Sequence, residues 1–171
     1  MNGYEFYPED GSTLYEEEAW ELSEQARSLW LRLNFAGEYA EGMSPVQIQG
    51  RKYLPMFPAR DGVYTIEQVR EKFLAVFSEE FTDKTLNAAI ASKDLLEYNG
   101  NVYAAYKKNR GETSYNSWAD HVRDDGAGKF TVVMGVSMPP DGSIVYVELP
   151  TEKNAAGKFV FTDYPYWDRS E

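Results

Sequence analysis

Two periodicities divide this chain: apolar residues recur every three or four positions early on, and they alternate with their neighbours toward the end. Thr13, followed three residues later by Glu16, reads as a capping box, and Glu16, Glu17 and Glu18 fill a first turn where the helix dipole favours negative charge. Ala19, Leu22, Ala26, Leu29 and Leu33 then form one stripe, which predicts a helix closing at Gly37. Trp20 and Trp30 flank that stripe and are expected to widen its buried face. Beyond Gly37 the helical period is lost. Val46 and Ile48 alternate with Gln47 and Gln49, Gly50-Arg51 reads as a turn, and Tyr53-Leu54 resumes the apolar pattern, so a short hairpin is expected between Pro45 and Pro55. The segment Pro55-Met56-Phe57-Pro58 cannot be regular helix and is expected to pack its aromatic against the core.

A second capping box, Thr65 with Gln68, opens a helix lined by Ile66, Val69, Phe73 and Val76 or Phe77, with Glu67 and Arg70 spaced as an i,i+3 pair. Ser78-Glu79-Glu80 interrupts it, and Thr82 or Asp83 is expected to cap a third helix carrying Leu86, Ala89 and Ile90. Asn99-Gly100, between apolar runs at 95–98 and 101–104, is a type I′ hairpin signal, because both central residues need positive φ. A weaker strand is expected over 115–123. Phe130, Val132, Met134, Val136 and Met138 alternate strictly, Pro139-Pro140-Asp141-Gly142 is a turn, 144–149 is its partner strand, and 158–162 closes the sheet. The tail, with Tyr164, Tyr166 and Trp167, is expected to lie back over that sheet. Helices first and strands afterwards predict an α+β fold, with N-terminal amphipathic helices packed on a curved antiparallel β-sheet meander. Residues 1–11 read as a flexible arm and 12–171 as a single α+β domain.

Composition narrows the functions. The 171 residues carry a formal net charge of −11, which repels a phosphate backbone and argues against nucleic acid as a partner. The basic cluster Lys107-Lys108-Asn109-Arg110 reads as a solvated hairpin end. With no cysteine, disulfides, thiolate metal sites and a Cys nucleophile drop out together, while the compartment is left open. No apolar run approaches the ~20 residues of a membrane-spanning helix. The N-terminal stretch lacks the basic and apolar regions of a signal peptide, so an exported form would require a leader upstream of Met1.

Candidate chemistry is sparse. His121 is the sole histidine, and Asp120, Asp124 and Asp125 surround it, which invites an acid–base or metal reading. No G-x-S-x-G elbow accompanies it, and the three aspartates lack the spacing of an EF-hand loop. Gly126-Ala127-Gly128-Lys129 is not a phosphate loop, because its spacing is wrong and a strand follows it instead of a helix. No enzyme, cofactor or metal is expected.

Val63-Tyr64-Thr65, the helix ending Phe77-Ser78, the pair around Glu97-Tyr98-Asn99-Gly100-Asn101-Val102-Tyr103, and Asn109-Arg110-Gly111 together resemble the IseA-like family. These are secreted or lipid-anchored proteins of Gram-positive bacteria, and the namesake inhibits peptidoglycan DL-endopeptidases of the NlpC/P60 type. The resemblance spans residues 30–161 and implies an exported, non-enzymatic domain that binds a cell-wall hydrolase and occupies its active-site cleft. Two polar connections, 110–118 and 120–128, are expected to supply the partner-binding residues: Arg110, Glu112, Trp118, Asp120, Asp124 and Asp125. The closing run Gly157-Lys158-Phe159-Val160-Phe161-Thr162 is also similar to the last strand of NTF2-like domains. That similarity implies instead a small-molecule pocket, lined by Tyr and Trp, between sheet and helices.

Overall fold

The computed structural model describes residues 12–34, 44–107, 116–138 and 141–164. They form an α+β fold, and the first helix runs Glu16–Asn34 (α1). Its stripe is buried as the spacing predicts, at Ala19, Leu22, Ala26, Leu29 and Leu33. Trp20 departs from expectation and is 51% exposed. At 3.6 residues per turn it sits about 100° round the helix from Ala19, on the solvent side. Trp30 does turn inward, with its ring 6.1 Å from Phe81 and 5.7 Å from Tyr164. The helix end expected at Gly37 lies outside the described residues, as do the arm 1–11 and the turn residues Pro139 and Pro140.

Thr65 and Gln68 form the expected capping box of the second helix, Ile66–Leu74 (α2), whose buried residues are Val69 and Phe73. The third helix, Glu79–Ala91 (α3), starts earlier than expected. Ser78 is its N-cap and accepts from the Phe81 N–H, while Thr82 is buried in the first turn and Asp83 faces Arg70. Arg70 therefore pairs across the two helices with Asp83, at 2.8 Å from Nε, and with Glu79 at 3.5 Å, where an intrahelical pair with Glu67 was expected. Ile90, expected on the α3 stripe, is 39% exposed.

The strands form two four-stranded antiparallel sheets, of which the second is the expected meander. The first has the order β1 (Val46–Ile48), β2 (Arg51–Pro55), β4 (Asn101–Ala105), β3 (Leu95–Tyr98). Its first turn is Gln49-Gly50, one residue before the expected Gly50-Arg51, and Asn99-Gly100 makes the second; all four residues have positive φ, between 48° and 80°. The second sheet follows chain order: β5 (Asn116–Gly126), β6 (Lys129–Met138), β7 (Ser143–Lys153) and β8 (Phe159–Phe161).

The helical turn before α3 is stitched directly to β8. The Ser78 N–H donates to the Phe161 carbonyl and the Phe161 N–H to the Val76 carbonyl, both at 2.8 Å. Phe77 sits at this seam, 4.8 Å from Phe81, 5.6 Å from Phe73 and 5.7 Å from Tyr164, measured between ring centres. Tyr164 thus turns inward as the tail was expected to, and 165–171 lie outside the described residues. Met56 and Phe57 are buried, as their Pro-bounded segment implied. A single buried cluster runs from α1 through α2 and α3 to both sheets. Among the described residues no helix is long and apolar enough to cross a membrane.

Candidate functional site

The second sheet has one face in the core and one facing outward, on which the central-strand residues Thr131 and Val133 are covered by their cross-strand neighbours. On β6, Phe130, Val132, Met134 and Val136 join the core, so Thr131, Val133, Gly135 and Ser137 face outward. Registration across the strands then defines the outer face row by row. Trp118 and Tyr146 both pair with Gly135, His121 and Glu148 with Val133, Arg123 and Pro150 with Thr131, and Ile144 with Ser137.

A bulge makes this face possible. Pairing jumps from Ala119–Met134 to His121–Val133, which leaves Asp120 as an extra residue. Strict alternation from Trp118 would send His121 into the core with Ala119. The added residue instead keeps Trp118 and His121 on the same side while Ala119 and Val122 pack inward. Asp120 joins the two: its carboxylate accepts from Trp118 Nε1 at 3.3 Å and lies 2.8 Å from His121 Nδ1. These hydrogen bonds, from His121 first and Trp118 second, hold the Asp120 carboxyl below its ordinary range.

Trp118 lies across Gly135, where a side chain would find no room: a Cβ there would stand 2.5 Å from indole Cε2 and Cζ2. The backbone of β6 thus supports the indole from beneath. Beside it Ile144 and Tyr146 project from β7, 52% and 60% exposed. A tryptophan seated on bare backbone and two exposed apolar side chains make an apolar strip at one end of this face.

The far end of the face is polar. A second bulge, at Asp125, lets its carboxylate accept from Arg123 Nε at 2.7 Å and from Thr131 Oγ1 at 2.5 Å, and Arg123 reaches Glu148 as well. Thr131 and Arg123 hold the Asp125 carboxyl low, and Asp125 and Glu148 raise the Arg123 guanidinium. Asp124 is apart from this network and caps the β5–β6 turn, accepting from the Gly126 N–H at 2.9 Å.

The expected partner-binding residues therefore separate. Trp118 and Asp120 are together, Asp125 lies farther along the same face, Asp124 is occupied at the turn, and Arg110 and Glu112 lie outside the described residues. The expectation that 120–128 forms a loop is corrected: residues 116–126 are strand, and only Ala127-Gly128 turns. Its bulged, charged sequence belongs to an edge strand, where irregularity and charge block further pairing. Ile144, Tyr146 and Glu148 did not stand out in the sequence. Their run Ile144-Val145-Tyr146-Val147 is apolar at every position, so nothing in it says which side meets water.

A concavity of about 430 Å³ opens between the end of α1 and α3, lined in part by Trp30, Leu33, Lys84, Asp94 and Lys107. Asp94 is engaged there by Arg51 at 2.5 Å and Lys107 at 3.1 Å. Lys107 of the expected basic cluster is thus ion-paired. No family model and no curated protein matches the chain.

Proposed function

We propose that this chain is an exported, non-enzymatic binding domain that inhibits or regulates a cell-wall DL-endopeptidase of the NlpC/P60 type by occupying its active-site cleft. The observation that carries the binding part is the outer face of β5–β7, where Trp118, Ile144 and Tyr146 stand beside the charged groups Asp120, His121, Arg123 and Glu148. Tyr, Trp and Arg are the side chains that concentrate binding energy at protein interfaces, and a polar rim around an apolar centre is the usual anatomy. The endopeptidase part rests on the resemblance in the central block. The net charge of −11 suits steering toward a basic cleft.

The NTF2-like alternative draws its support from the cleft at Trp30, but among the described residues one aromatic lines it and its walls are open to solvent. An enclosed aromatic cavity would suit a small ligand better. The test is peptidoglycan hydrolysis by several NlpC/P60 enzymes with this protein added. Slowed cleavage is the expected result, and unchanged rates at micromolar excess across all of them overturn the proposal.

A further inference from the structure

The outer face also says what kind of partner surface would fit it. Its negative charges are not equivalent. Asp125 and Glu148 share Arg123, and Asp124 is used by the turn. Asp120 is different: its two partners are the Trp118 indole and the His121 ring, and neither is a permanent cation. A carboxylate offers about four lone-pair directions, so Asp120 retains acceptor capacity after these two contacts. Its side chain is 37% exposed, and it is held in place at the border of the strip formed by Trp118, Tyr146 and Ile144.

We infer that this face takes a cationic segment of a partner protein, with an aliphatic or aromatic side chain packed across Tyr146, Ile144 and Trp118 and an adjacent Lys or Arg paired to Asp120. The inference rests on the binding-domain reading above, though not on the partner being an endopeptidase. Charge complementarity selects the occupant: a chain of net charge −11 attracts a basic surface and repels a second copy of itself. Rigidity helps too, since the indole is fixed between Gly135 and Asp120 and little of its freedom remains to be lost on binding.

The test is selection of a phage-displayed random dodecapeptide library on the full chain, followed by binding of the enriched peptides to Tyr146→Ala and Asp120→Asn. The expected result is a consensus joining Lys or Arg to an apolar side chain. Binding should weaken about tenfold or more in each variant and should fall with added salt. Tyr146 is exposed, so its variant keeps the fold, and circular dichroism with thermal melting confirms this for both. No enrichment, a neutral or acidic consensus, or equal binding to wild type and variants overturns the inference. So does self-association of the wild type by sedimentation that Tyr146→Ala abolishes, since a second copy would then own the face. Failure here is separable from failure of the endopeptidase reading. Wild type inert toward hydrolases but positive in selection removes the enzyme partner alone, whereas inhibition retained by both variants removes the face alone.

Discussion

Trp118 and Gly135 meet across the β5–β6 pair so closely that a Cβ on the glycine would stand 2.5 Å from two indole carbons. In an ordinary strand Gly→Ala is favourable by about 0.5–1 kcal/mol, because glycine has more backbone freedom to lose. Here the clash outweighs that gain. Gly135→Ala is expected to destabilise the fold by about 1–3 kcal/mol or to expel the indole from the face. Urea denaturation reads the first outcome and tryptophan fluorescence the second. Trp118→Ala in the same chain should recover much of the loss, as a coupled pair does. A Gly135→Ala midpoint equal to or above wild type, with unchanged fluorescence, would show that the close approach is absent.

Ser78 does two jobs at one seam. Its hydroxyl caps α3 by accepting from the Phe81 N–H at 3.2 Å, and its own N–H holds the Phe161 carbonyl of β8. Ser78→Ala removes the first contact only and is expected to cost about 1 kcal/mol. Ser78→Gly should cost a few tenths, because glycine is a tolerated N-cap. Chemical denaturation of both variants checks the order, and an alanine variant as stable as the glycine one contradicts the cap.

Asp94 gives the fold a pH dependence. Partial burial pushes its carboxyl up, but hydrogen bonds from Arg51 and Lys107 outweigh this and hold it below the ordinary value of 3.8. A carboxylate with a depressed folded-state pKa adds stability that is complete above the unfolded value and is lost as pH falls through the folded one. Asp94→Asn is therefore expected to be less stable than wild type near neutral pH, by about 1 kcal/mol for a partly exposed site. Below about pH 4 the difference should close. Melting curves across that range decide it; a gap independent of pH would place the effect in packing.

How much of this was legible in the sequence follows from how local each cause is. Caps and turns are written in a few adjacent residues, so Thr65-Gln68 and Asn99-Gly100 were readable and stand where expected. The division into two sheets was not readable, because it is settled by pairings between strands far apart in the chain, such as β2 with β4. Likewise nothing near Arg70 announces that it prefers Asp83, thirteen residues on, to Glu67 three residues back. The candidate site was half visible. Trp118 and Asp120 stand out among polar neighbours, but Ile144 and Tyr146 join them only through the β6–β7 register. The bulge that sets the side of His121 has no signature in the sequence. An extra residue in a strand is defined only by its partner.

Phe77 and Trp20 give the sharpest contrast between aromatic residues that look alike in a pattern. Phe77 is 1% exposed and touches the rings of α2, α3, β8 and Tyr164, so Phe77→Ala leaves a cavity where the helices meet the second sheet. Such truncations cost about 3–5 kcal/mol, a large share of the roughly 5–15 kcal/mol that holds a domain of this kind. Trp20 is the larger side chain, yet it is 51% exposed, and Trp20→Ala is expected to stay within about 1 kcal/mol of wild type. Helix-stripe logic that buries both would predict similar losses. Paired urea denaturation of the two variants separates these views, and a Trp20→Ala loss rivalling that of Phe77→Ala would mean that α1 presents its other side to the core.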